Sequence, residues 1–213
     1  MDITQLASEL HVWHVRNYPK ETDVQALLSV GEEFGELERA ELKQAGGIRG
    51  TWEEWQIEKQ KEIGDVFISL IEFAVRTNTV KNVKVAFESH ETLYPVRMER
   101  GSVCYYTYDL YWKTWSICLA ESNWGTVIMP LSTSEYALLA LKAMLGHISA
   151  AFVTKDSAPQ KLSDSIDAFV YGLCEYAKLT NIDIKASLAS RWQTISKRDF
   201  IVNPLTGGRE NEV

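Results

Sequence analysis

Between Thr4 and His14 the apolar residues Leu6, Leu10 and Trp13 fall at helical spacing, and the stretch from Asn17 to Pro19 ends that pattern, because proline disfavours helix at the residue before it. The pattern restarts at Thr22, a residue suited to an N-cap. Ala26, Leu27, Val30, Phe34 and Leu37 then recur at steps of three and four to about Leu42. Ala45-Gly46-Gly47 closes this second helix, and the polar stretch to Trp55 reads as a loop with room for a short helical turn. A third helix is predicted from about Trp55 to Thr77, with Ile63, Val66, Phe67, Leu70, Ile71 and Ala74 on its apolar face, and a fourth around Val83 to Leu93, ending at Tyr94-Pro95. The tyrosines between Met98 and Trp115 are assigned to a helix beginning near Tyr106. The expected class is all-α.

Beyond Gly101 the pattern repeats. Trp13, Pro19, Thr22, Ala26, Leu27, Leu28, Gly35 and Ala40 recur 111 residues later as Trp124, Pro130, Thr133, Ala137, Leu138, Leu139, Gly146 and Ala151. After a shorter loop, Leu70, Glu72, Ala74, Thr77 and Asn78 recur 103 residues later as Leu173, Glu175, Ala177, Thr180 and Asn181. Amphipathic helices share Leu and Ala by composition alone, but the matched Trp, Pro, Thr and Gly are harder to attribute to chance. Two related helical halves are expected, residues 1–100 and 101–213.

Composition narrows the function classes. The 213 residues are 46% apolar and 24% charged, which suits a folded chain, and the formal charge of −7 argues against a sequence-independent grip on nucleic acid polymers. Cys104, Cys118 and Cys174 lack metal or redox spacing and read as thiols in a reducing compartment. The N-terminus lacks a basic segment followed by an apolar one, and no unbroken run of about eighteen apolar residues occurs. A cytoplasmic location without membrane partners is therefore expected.

The acidic residues carry the chemical signal. Glu32, Glu33 and Glu36 lie on the second predicted helix and Glu62 and Asp65 on the third, so each helix presents an acidic pair at i and i+3. Glu33 neighbours Val30 and Leu37 on the helical net, and Asp65 precedes Val66 and Phe67. Carboxylates gathered at such a half-dry seam either take up protons or bind a cation, and hard oxygen ligands suit Mg²⁺ or Mn²⁺. Glu-rich helices are also common simply because Glu forms helix and pairs with nearby Arg39, Lys43, Lys59 or Lys61. The order EExxE, loop, ExxD distinguishes the two readings better than either pair alone.

Gly31-Glu32-Glu33-Phe34-Gly35-Glu36-Leu37 followed by Glu62-Ile63-Gly64-Asp65-Val66 resembles the signature of the MazG-like all-α nucleoside triphosphate pyrophosphohydrolases. Trp13, His14 and Pro19 fit the amino-terminal pattern of that family. Tyr94-Pro95 and Gly101 resemble its dCTP-hydrolysing branch, and Arg198-Asp199-Phe200 with Asn203-Pro204 is similar to the ending of phage-type members. The specific motifs cover about residues 10 to 100. The resemblance implies an intrachain pseudo-dimer forming a four-helix bundle, with Glu33, Glu36, Glu62 and Asp65 as Mg²⁺ ligands and Glu32 as an additional catalytic acid or base. It also implies cleavage of a (d)NTP to (d)NMP and pyrophosphate in a cellular or phage-infected bacterial cytoplasm.

The second half departs from this pattern: Glu33, Glu36, Glu62 and Asp65 correspond there to Met144, His147, Ser165 and Ala168. That half is expected to be a structural partner, with one active site per chain and further pairing of chains into a homodimer left open. Ala86 and His90 replace the Lys and Asn usual in the dCTP branch, so the preferred base is open. Candidate substrate contacts are His14, Trp52, Trp55, Lys61, His90 and Arg97, whereas Trp13 reads as core. The alternative functional reading is a non-catalytic nucleotide-binding or interaction module of the same fold.

Overall fold

The computed structural model describes residues 2–89, 105–109, 114–118, 127–130, 134–156 and 159–202. Within them the protein is predominantly helical. The helices are α1 (Ile3–Asn17), α2 (Asp23–Ala45), α3 (Trp52–Arg76), α4 (Val80–Ser89), α5 (Ser134–Val153), α6 (Pro159–Leu179) and α7 (Ile184–Ile195). Strands β1 (Tyr105–Asp109), β2 (Thr114–Cys118) and β3 (Val127–Pro130) form an antiparallel sheet in that order. Met1–Lys84 with Asn181–Val213 makes one compact unit, and Val85–Thr180 makes the other. This division differs from the expected one at residues 100 and 101, because α7 buries Ile184, Ser187 and Leu188 in the unit of α1 to α3.

In the first unit, α3 is the helix on which the others pack, contacting α1, α2 and α7. Thr22 caps α2 as expected: its hydroxyl accepts from the Gln25 backbone N–H, and the Gln25 side chain answers to the Thr22 N–H. Thr51 and Glu54 form the same reciprocal cap on α3, which therefore starts earlier than predicted and takes in both Trp52 and Trp55. Gly47, at φ +60°, supplies the left-handed residue that lets the chain leave α2. Val30, Phe34 and Leu37 of α2 and Ile63, Val66, Phe67, Leu70 and Ile71 of α3 are each at most 2% exposed. Burying a side chain of this size contributes about 1.5–3 kcal/mol, so the α2–α3 seam is the main source of cohesion in this unit.

The C-terminal segment ties α1 and α7 together. Trp13 Nε1 donates to the Arg198 carbonyl at 3.0 Å, Phe200 N to Asn17 Oδ1 at 2.7 Å, and Trp192 Nε1 to Glu9 Oε2 at 3.1 Å. Trp13 sits edge-on to Tyr18, Trp192 and Phe200. Trp13 packs against its aromatic neighbours but is half-buried, not part of the core as expected.

In the second unit α5 packs on α6, burying Leu138, Leu141, Met144 and Ile148 against Ile166, Phe169, Val170 and Leu173. A Cβ at Gly172 would lie 2.7 Å from Leu141 Cδ2 and 3.1 Å from Met144 Sδ, so a larger residue there would require those side chains to shift. By length and composition α5 is apolar enough to cross a membrane, although seven of its side chains are buried in this unit. The helix expected near Tyr106 is corrected to a strand, paired from Tyr105↔Cys118 to Asp109↔Thr114. Its run of Tyr and Thr favours extended backbone. Both halves keep one helix ending at the register of the repeat. Thr77 Oγ1 donates to the Phe73 carbonyl at 2.9 Å and Asn78 takes φ 59°; Thr180 Oγ1 donates to the Tyr176 carbonyl at 2.8 Å and Asn181 takes φ 56°. Tyr94-Pro95, Gly101 and Asn203-Pro204 lie outside the described residues.

The α2–α3 seam also encloses an ion pair, Lys59 Nζ to Glu41 Oε2 at 2.9 Å, with side chains 3% and 4% exposed. Glu41→Ala strands a buried ammonium and is expected to cost about 3–5 kcal/mol in urea unfolding. The double change Glu41→Leu with Lys59→Met should recover most of that loss.

Candidate metal centre

The α2–α3 seam sets the positions of the acids. Glu33 leaves α2 beside the buried Val30 and Phe34, while Glu62 and Asp65 stand one turn apart on the buried face of α3. One oxygen from each of Glu33, Glu62 and Asp65 lies within 4.8 Å of the others. Glu62 is 1% exposed and Asp65 6%. Lys61 Nζ donates to Glu62 Oε1 at 2.8 Å and to Glu58 Oε1 at 3.2 Å, and Arg191 Nε of α7 donates to Asp65 Oδ1 at 2.9 Å. Glu62 Oε2 is buried and has no hydrogen-bond partner.

Burial first, then repulsion from Asp65, Glu36 and Glu32, pushes the Glu33 carboxyl up to about 7. Burial also raises Glu62 to about 7; Lys61 opposes the shift, and Glu58 and Asp65 add to it. Asp65 is raised by burial against the opposing pull of Arg191. Burial would lower the Lys61 ammonium, but Glu62 and Glu58 outweigh it and raise the group. Fully ionised, the three acids would carry more negative charge than Lys61 and Arg191 compensate, and Glu62 keeps a buried oxygen without a hydrogen-bond partner. Both features fit a small divalent cation with an all-oxygen ligand set, and Mg²⁺ and Mn²⁺ are the hard ions that such a set selects.

The other predicted residues fall at varying places. Glu36 lies one turn beyond Glu33 and pairs with Arg39 at 3.4 Å, outside the group of three. Glu32 is exposed and lines an open cleft of about 520 Å³ with Tyr18, Pro19, Lys20, Glu21, Gln25, Leu28 and Ser29. Trp52 is exposed at the start of α3. Trp55 is held by its Nε1 donating to the Ile48 carbonyl at 3.1 Å, with Lys43 over its ring. His90 and Arg97 lie outside the described residues.

His14 belongs to a second cluster with Glu21 and Glu72. Its Nε2 contacts Glu21 Oε2, and Arg76 reaches Glu21 Oε2 at 3.1 Å and Glu72 Oε1 at 2.9 Å. A guanidinium already bridges both carboxylates, so this network reads as an ionic tie between the Pro19 turn and α3. In the second unit, Met144 and Ala168, the counterparts of Glu33 and Asp65, are buried apolar residues, and Cys174 is buried.

Arg191 was not anticipated from the sequence. The signal for it was Gly64, a glycine inside a strong helix between two acids. A Cβ there would lie 2.6 Å from Arg191 Cγ and 3.0 Å from the Ser187 carbonyl, so Gly64 is the seat of α7. Compared with models of known protein families, with curated proteins and with solved structures, the chain matches none.

Acids raised in the folded state hold protons that the unfolded chain has already released. Their contribution to stability is present below the ordinary value of 4.5 and is lost as pH rises through about 7. In chelator, the melting temperature is therefore expected to fall across that window, and Glu33→Gln should flatten the decline. A wild-type profile that is level or rising there, with no difference from Glu33→Gln, would contradict the assignment.

Proposed function

We propose that the protein is a Mg²⁺-dependent nucleoside triphosphate pyrophosphohydrolase of the MazG type, releasing a nucleoside monophosphate and pyrophosphate. The observation that supports this most is the convergence of Glu33, Glu62 and Asp65 at a dry seam with excess negative charge. The motif order EExxE…ExxD supplies the link to the family. Glu33, Glu62 and Asp65 would hold the ion, with Glu36 completing the set. When bound, Mg²⁺ supplies Lewis-acid stabilisation of phosphate charge and lowers the pKa of a coordinated water.

The remaining steps fall to the chain's own residues. Glu32 stands on the stripe of α2 formed by Gln25, Ser29, Glu33 and Glu36, and it faces the open cleft, where it is placed to accept a proton from water or to orient it. The cleft gives room for the part of a nucleotide not held at the acids, with the exposed Tyr18 as a surface for a base. The α2–α3 core keeps the acids from spreading apart. A net charge of −7 is compatible with an anionic substrate because the attraction is local to the ion.

A second reading, a non-catalytic nucleotide-binding module, draws on the α5–α6 hairpin, which keeps its core but carries Met144 and Ala168 where acids would be needed. Pyrophosphate release from a panel of canonical and modified NTPs and dNTPs separates the two. Turnover of at least one nucleotide is expected with Mg²⁺. Glu62→Gln and Asp65→Asn should each reduce it at least about 100-fold, the upper end of what losing even an outer partner costs a metal site. Nucleotide binding without turnover by the folded wild type would favour the second reading.

A further inference from the structure

Arg191 is fixed from three sides. Its stem runs over Gly64, where any side chain would collide with Arg191 Cγ. Asp183 caps α7 by accepting from Ala186 N at 3.0 Å, and Trp192, the next residue, donates to Glu9 of α1. Beyond α7 the chain is held by the Trp13 contact to the Arg198 carbonyl and the Asn17 contact to Phe200 N. The Arg191 side chain is 12% exposed, and its Nε lies 2.9 Å from Asp65 Oδ1. Lys61, which pairs with Glu62, is 39% exposed and shared with Glu58. Arg191 is therefore the more buried, better fixed positive charge at this site.

We infer that Arg191 is a resident counter-cation of the acidic triad: its guanidinium holds Asp65, and a divalent ion entering the triad must do so against that positive charge. The inference rests on the metal-centre reading and concerns how α7 answers to metal. An ion of charge +2 among these oxygens repels a guanidinium bound to one of them. Arg191 and the ion thus compete for Asp65. Because α7 is tied to α1 and to the segment after Arg198, metal loading weakens a contact that joins this assembly to the acids. Arg191 is a positioning residue in this account, coupling α7 to the state of the site.

Arg191→Met keeps most of the stem over Gly64 and removes the charge, whereas Arg191→Lys keeps the charge. Mn²⁺ binding followed by electron paramagnetic resonance should be roughly tenfold tighter in Arg191→Met than in wild type, the scale of one charge-assisted hydrogen bond. Arg191→Lys should stay near wild type. The melting temperature of Arg191→Met should fall in chelator and recover most of that fall in saturating Mg²⁺. Hydrogen exchange over Ile184–Ile195 should rise on adding metal to wild type and stay unchanged in Arg191→Met. Should Arg191→Met not fold, Arg191→Gln is read in the same way. Equal Mn²⁺ affinity in all variants, with a stability loss independent of metal, would overturn the inference and leave the metal centre standing. No Mn²⁺ binding by wild type or any variant would overturn both.

Discussion

Three carboxylate oxygens within 4.8 Å of one another, at a seam where Glu62 and Asp65 are almost wholly buried, repel strongly enough to shape everything around them. The force that holds them there is the apolar packing of α2 on α3. Phe34, Leu37, Ile63, Phe67 and their neighbours cannot separate without exposing the main core, so the acids on its edge cannot separate either. Lys61 and Arg191 answer part of the repulsion, and Gly64 exists as a glycine so that α7 can bring Arg191 close enough. Other acids of the same unit meet a cation directly. Lys59 pairs with Glu41, and Arg76 bridges Glu21 and Glu72.

The second hairpin shows the same scaffold without that constraint. Its α6 ends with the same Thr and left-handed Asn as α3, and α5 and α6 pack through a comparable set of Leu, Ile and Phe. Where the first hairpin spends part of its core edge on acids, this one places Met144 and Ala168, and Gly172 lets the helices close directly over Met144. A buried apolar side chain carries no desolvation cost, so this hairpin needs neither a guanidinium nor an ion.

The helices of the first unit were legible because their apolar residues repeat over many turns and because Thr22 and Gly46-Gly47 mark boundaries by known backbone chemistry. Glu33, Glu62 and Asp65 were legible for the same reason, since each adjoins a residue of the core stripe. Glu36 also adjoins it, but lies far enough out to pair with Arg39. The start of α3 was misplaced because the capping pair Thr51 and Glu54 lies in a polar stretch without periodicity. The sheet was missed because short Tyr- and Thr-rich runs at its strands carry too few residues to show a period, and pairing between strands is not a local property. Arg191 was invisible for a related reason: its partner Asp65 is 126 residues away, and nothing in the chain near Arg191 announces the contact.

The central claim is that the charge left over at the α2–α3 seam is a cation site. A crystal structure of the protein grown with Mn²⁺, with the ion located by its anomalous scattering, tests it most directly. The account predicts an ion coordinated by Glu33, Glu62 and Asp65, with the Glu36 carboxylate turned from Arg39 towards it. Manganese bound instead at His14, Glu21 and Glu72, or a triad still held by Arg191 in saturating Mn²⁺ with no ion among its oxygens, would contradict it.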